Sequence, residues 1–334
     1  MSSGLSNNRI KPPATAGGSD RSLRLGGSLI LLLLITLLAA ALLGSERLSF
    51  FDLNDQQRAI LFDIRLPRIL LGACVGASLA VAGAALQALL RNPLAEPYLL
   101  GVSNGAALGT MLAFAFFESW SFARPIFAFA GAGIATFAVY QMAKGRAGMN
   151  VERLVLSGVI VTTFLSSIIV LLTSLLDAAK LRGFTFWLLG DLSQATIDGF
   201  YFTLVAAVIG TIILSSQAKA LNLMMIGERD AFDFGVEVGR VRIIVFSLSS
   251  ILVGTAVAAS GSVGYVGLIV PHLVRLAIGS DNRLVVPFSA ISGAIFVVLA
   301  DTVARTAIAP RELPVGAITA LIGAPLFIYL LKRS

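Results

Sequence analysis

Long apolar runs separated by short polar joints recur along the whole chain, and the joints carry nearly all of the charge. The run 25–44 holds no charged side chain, and it reaches the roughly 20 residues needed to cross a bilayer core of about 30 Å. Nine further runs follow, at 66–90, 98–117, 125–143, 154–176, 198–217, 241–260, 263–278, 284–303 and 313–331. The eighth is short and broken by Gly264, Gly267 and Pro271, a backbone tolerated at membrane depth only where protein covers it or a cavity wets it. The pattern predicts an all-α polytopic membrane protein of about ten transmembrane helices, with both termini on the same side.

Composition agrees with the pattern. At 57% hydrophobic and 13% charged residues, the chain has too little polar surface to cover a soluble globule of this length. A cleaved signal is a poor reading of the first run, because a long polar tail precedes it and no small-residue cleavage pattern follows. Residues 1–20 therefore read as a disordered cytoplasmic tail and 21–334 as one transmembrane domain. With the termini inside, the inner joints collect Arg91, Lys144, Arg146, Arg153, Lys219, Arg229, Arg240 and Arg242, whereas fewer basic residues, among them Arg47, Arg58, Arg65, Arg68 and Arg124, fall outside. The positive-inside rule thus places both ends in the cytoplasm of a cell's inner membrane. The net charge of +7 follows from these flanks, and no basic stripe interleaved with aromatics suggests nucleic acid.

Candidate chemistry is sparse. His272 is the single histidine and Cys74 the single cysteine, so neither a metal-ligand spacing nor an internal disulfide can be assembled from them. No phosphate-binding GxxxxGK[ST] loop occurs, which leaves no catalytic residue, bound metal or cofactor to assign. Asp177, Asp191 and Asp301 lie near the outer ends of spans, where capping carboxylates are common. A proton relay needs acids deep within spans, and those are nearly absent, which counts against a secondary transporter without excluding one. Gly72, Gly76, Ala80 and Ala84 repeat every four positions and predict close helix packing along one stripe. Thr162, Thr163, Ser166, Ser167 and Thr173 give the fifth span a polar face that either lines a route or bonds to neighbouring helices.

The island at 218–242, AKALNLMMIGERDAFDFGVEVGRVR, is charged and turn-broken between two apolar runs. Met224, Met225, Ile226, Ala231, Phe232 and Phe234 offer apolar surface, and Gly227 and Gly235 allow turns between short helices. A soluble partner is expected to hold it.

Three long segments, IRLPRILLGACVGASLAVAGAALQALLRNPLAEPYLLGVSNGAALG, GSVGYVGLIVPHLVRLAIGSDNRLVVP and ADTVARTAIAPRELPVGAITALIGAPLFIYLL, resemble the FecCD-like permeases of type II ABC importers for iron chelates, haem and cobalamin. The resemblance runs from about residue 58 to the end, and between about 112 and 150 it holds only in hydropathy. It implies a ten-helix permease bundle per subunit, paired with a second copy of itself or a paralogous permease in a lipid membrane. An ATPase dimer that carries ATP and magnesium would dock below, and a periplasmic or lipid-anchored binding protein would deliver the chelate from above. In this scheme 218–242 is the cytoplasmic coupling loop, with Met224, Met225, Gly227, Glu228, Arg229, Phe232, Phe234 and Gly235 as its contact residues. The resemblance also implies binding-protein docking by Arg65, Arg68 and Arg305, with Asp301 one helical turn before Arg305 to restrain it. Asn92 and Leu94 in RNPLAEP would form a cytoplasmic gate with Val151 and Glu152, and Glu152 departs from the small hydroxyl residue usual there. The cargo implied is a ferric siderophore or haem, with cobalamin the alternative. An ATP-independent secondary transporter is the alternative of another class, and a membrane enzyme fares worst for want of a catalytic constellation.

Overall fold

A helix that is apolar all round must be covered on every side, and Leu66–Leu89 (α3) is such a helix: nearly all of its residues are buried. The computed structural model describes residues 16–44, 54–117, 119–120, 122–145 and 148–333. The tail residues 1–15 and the basic residues Arg47 and Arg146 weighed above lie outside them.

In chain order, α1 (Ala16–Leu42) precedes a short α2 (Asp55–Ala59) and a π-helical turn (Ile60–Arg65) that runs straight into α3. A 3-10 turn (Pro97–Leu100) leads into α4 (Val102–Phe116) and α5 (Ala123–Ala143). A two-residue hairpin, β1 (Lys144–Gly145) and β2 (Gly148–Met149), precedes α6 (Val151–Thr173), α7 (Ala178–Leu188) and α8 (Ile197–Ser216). The island folds as α9 (Ala218–Ile226) and α10 (Glu228–Asp233), and the chain ends with α11 (Val238–Ser260), α12 (Val266–Ile278), α13 (Asn282–Thr306) and α14 (Val315–Arg333).

All ten expected spans have a helix. Among the described residues seven helices are long and apolar enough to cross a membrane, and the shorter apolar helices α4, α12 and α14 supply the remaining three. Two boundaries differ from expectation. α1 begins at Ala16, so residues 16–20 of the presumed tail are helical, because extending an existing helix backwards costs far less than nucleating one. α7 lies in a joint that the apolar pattern left outside any span. It starts at Asp177, whose side chain accepts the Lys180 N–H, and the same device starts α6 at Asn150 and α8 at Thr196. Each cap satisfies a donor that the first turn would otherwise leave unpaired.

Around α3 pack α13, α11, α8 and α12. The expected small-residue stripe produces a close crossing with α13: a methyl group on Gly76 would strike the Gly293 carbonyl, and one on Gly293 would strike that of Gly76. Gly83 meets Gly267 of α12 in the same way. α12 carries Pro271 inside it, and a proline leaves the carbonyl four residues earlier without its helical donor. That carbonyl is Gly267 O, and the buried Gln87 of α3 supplies the missing bond at 3.2 Å, with a second to Leu268 O at 3.1 Å. Arg275 in turn donates to the Gln87 side-chain oxygen and to Ala84 O.

α6 packs mainly on α5 and α4 and leaves most of its length open. Of its hydroxyls, that of Ser166 bonds to a neighbouring helix. Asn104 of α4 donates to Ser166 Oγ at 2.6 Å and to Thr162 O. Thr163 and Ser167 bond back to their own helix on the open side.

Candidate coupling and gating site at the inner face

Within α9 the buried residues are Ala218, Leu221 and Met224, spaced three apart and so on one face. Only Ala231 of α10 is buried. The opposite side presents Ile226, Phe232 and Phe234 at 75%, 71% and 76% exposure, three large apolar side chains on a polar joint. Met224 is therefore removed from the expected contact surface: helical geometry turns it into the core. Met225 is half-buried, and its sulfur accepts from Asn282 Nδ2 at 3.2 Å. Arg229 is exposed beside the phenylalanines. Gly235 adopts φ +82° after α10, the left-handed conformation that ends helices, whereas Gly227 is extended at φ −177°.

α9 is fastened to the start of α13. The Asn222 side-chain oxygen accepts from both Asn282 N at 2.9 Å and Asn282 Nδ2 at 2.8 Å, and Asn222 Nδ2 donates to Asp281 at 2.7 Å. Asn282 is fully buried. Hydrogen bonds from the Arg283 side chain hold the Asp281 carboxyl down at about 2, with the Arg283 backbone N–H and Asn222 adding to the effect against the opposing cost of burial.

α10 is fastened differently. Glu228, its first residue, accepts from Arg91 Nη2 at 3.1 Å and pairs through the same oxygen with Arg242 Nη2. Arg242 Nη1 donates to Met149 O at 2.8 Å. This joins the island to both expected gate segments. Arg91, in the left-handed region at φ +49°, opens the turn in which Asn92 Oδ1 accepts the Leu94 N–H at 2.9 Å, leaving Leu94 44% exposed. Met149 is the end of the hairpin just before α6, where Val151 is half-buried and Glu152 exposed.

A second break lies behind the first turn. Tyr265, at φ +68°, precedes α12, and its N–H is taken by the Glu96 carboxylate at 3.1 Å. The Tyr98 hydroxyl donates to Val263 O and accepts from Val263 N.

At the opposite end of the bundle the expected docking arginines are found inside the protein. Arg65, Arg68 and Arg305 are all buried. Arg68 donates to Asp301 at 3.0 Å and to Glu312 at 2.6 Å, Arg305 Nε meets Asp301 at 3.0 Å, and Arg305 Nη2 and Arg65 Nη1 reach Ala40 O and Ala41 O at the end of α1. The expected restraint of Arg305 by Asp301 is present, and the three heads are turned into the protein, where desolvated guanidiniums need every acceptor the fold can supply. Arg311 and Glu312, next to the cluster, are exposed.

Sequence reasoning missed Arg91, Arg242, Glu96, Gln87, Asn222 and Glu312. Their partners lie far away along the chain, and no local spacing reports them. Only Pro271 gave a usable signal, since a proline within a span implies a donor elsewhere for the stranded carbonyl.

The bundle of long apolar helices defines a multi-pass helical membrane protein. The chain belongs to the FecCD transport family, whose family profile matches residues 29–333. It is 43% identical over 285 residues to the cobalamin import system permease protein BtuC of Halobacterium salinarum, covering 84% of this chain and 76% of that protein. It is 40% identical over 322 residues to the hemin transport system permease protein HmuU of Yersinia pestis, covering 92% of this chain and 95% of that protein. A solved structure of a metal-chelate type ABC transporter in an inward-facing conformation superposes with a TM-score of 0.85 at 35% identity, covering 93% of this chain and 99% of that one.

Proposed function

We propose that this chain is the membrane permease of an ABC importer for a metal chelate, a ferric siderophore or haem first and cobalamin second, driven by a separate ATP-hydrolysing subunit. One observation carries the reading: Ile226, Phe232 and Phe234 stand exposed on a joint in which Met224 and Ala231 are buried and Met225 is half-buried. Buried aromatic anchors supply most of the energy of a protein contact, and a cleft in a soluble partner is what these side chains fit. Two copies would enclose the passage, with the open side of α6 as the natural wall. Both termini would be cytoplasmic. At the outer end a binding protein would dock over the cluster behind Arg65, Arg68 and Arg305, meeting Arg311 and Glu312 first. ATP and magnesium belong to the partner, and selection of the chelate to the binding protein, so a weak site in the passage suffices.

The test is reconstitution. The chain with its ATPase and binding protein in proteoliposomes should accumulate labelled chelate only when ATP is supplied, and the chain alone should accumulate none. Phe232→Asp with Phe234→Asp should abolish co-purification of the ATPase while membrane insertion is unchanged. Uphill uptake by the chain alone, or an undiminished pull-down by the double variant, would overturn the proposal.

A further inference from the structure

We propose that Arg91, Glu228 and Arg242 form a joint that carries movement of α10 to both inner-face turns at once, the Asn92–Leu94 turn and the hairpin end at Met149. The inference rests on reading α9 and α10 as the seat of an ATPase and adds how that seat would act on the passage.

The two short helices of the island are attached in contrasting ways. α9 is bound to α13 through half-buried Asn222, whose side-chain oxygen takes two donors from the fully buried Asn282. The buried Asn282 end of this junction is shielded from water, so the junction holds α9 to α13 more firmly than a solvent-exposed ion pair would. α10 is held at Glu228, whose carboxylate is 37% exposed, by Arg91 at 45% and Arg242 at 14% exposure. Ion pairs in contact with water are individually weak and can be remade.

The geometry of the joint is specific. A single oxygen of Glu228 meets both guanidiniums, so the carboxylate is the countercharge that keeps two cations together. Without it Arg91 and Arg242 would repel across the gap, and the segments they belong to would separate. Arg242 reaches onward to the Met149 carbonyl with its other terminal nitrogen, placing the start of α6 on the same linkage. Arg91 holds a left-handed backbone, unfavourable for a residue with a Cβ, and the bonds from Arg91 N to Ala88 O and from Asn92 N to Gln87 O fix it. A pull on its side chain is thus delivered to the turn instead of being absorbed by a slack loop.

The experiment uses the full complex in proteoliposomes with a labelled chelate accepted by its binding protein, measuring ATPase co-purification, ATP hydrolysis and uptake in the same preparation. Arg91→Gln and Arg242→Gln should each retain the ATPase and its hydrolysis while chelate imported per ATP falls about fivefold or more, the range of a typical coupling free energy. Arg91→Lys, which keeps the charge, should recover most of the ratio, a rescue that a merely structural role would not show. Arg91→Gln combined with Glu228→Gln should be no worse than the poorer single variant, since both break one contact. Unchanged import per ATP in Arg91→Gln, or loss of the ATPase from that variant, overturns the joint, and Arg91→Gln carries the test alone should Arg242→Gln fail to insert. Failure of the unsubstituted chain to hold any ATPase would instead overturn the function on which the joint rests.

Discussion

Asp301 serves two masters: one carboxylate oxygen faces Arg68 and the other Arg305, with all three residues buried. Asp301→Asn would leave two desolvated cations short of a countercharge, a change that costs about 3–5 kcal/mol when a buried pair is broken. The expected outcome is a much lower thermal midpoint of the detergent-purified protein, against little change for the exposed Arg311→Gln. Asp281 makes a prediction with a sign. Its pKa lies at about 2, below the ordinary 3.8, so its contribution is fully present above the ordinary value and is lost as pH falls through the folded one. A stability profile between pH 4 and pH 2 should therefore be flatter in Asp281→Asn than in the parent. The Asp301–Arg305 pair was legible from its spacing of four. The Arg68–Glu312 pair was not, because 244 residues separate its members.

Among the helices, α3 and α13 depend on the absence of side chains where they cross. Gly76→Leu would drive a branched side chain into the Gly293 backbone, and overpacking of this kind costs typically about 1–3 kcal/mol or more when backbone must move. The variant should be recovered in low yield and as aggregates on size-exclusion chromatography, whereas Gly239→Leu, with open space around it, should behave as the parent. The stripe on α3 announced this contact in advance, although not its partner, since any of the other spans could have supplied the second glycine. The island shows the opposite limit. Its apolar content marked a platform, but six apolar residues were credited to one surface, and only the helical register of α9 and α10 divided them into buried Met224 and Ala231, half-buried Met225 and exposed Ile226, Phe232 and Phe234. α7 escaped the reading because a short amphipathic outer helix lacks the unbroken apolar run that identifies a span.

For the whole molecule, the arrangement of basic residues makes a directional prediction. In a Cys74→Ser background, Arg311→Cys in intact spheroplasts should react with an impermeant maleimide and Arg240→Cys should react only after the membrane is opened. The reverse pattern would invert the proposed orientation. Both native side chains are exposed, and the native thiol is buried.

The chain alone determined that this protein is a ten-span helical bundle, because the length and spacing of apolar runs answer directly to the thickness of a bilayer and need no knowledge of neighbours. It also marked the polar island and the proline-broken eighth span as places where something other than lipid must be met. What the tertiary structure alone decided is which polar groups meet: Gln87 under the stranded carbonyl of Gly267, Asp301 between two buried arginines, and Glu228 between Arg91 and Arg242. Each is a pairing of residues remote in sequence, chosen by desolvation. A buried donor or charge must find its partner wherever the packed helices bring one, and no local pattern records that place.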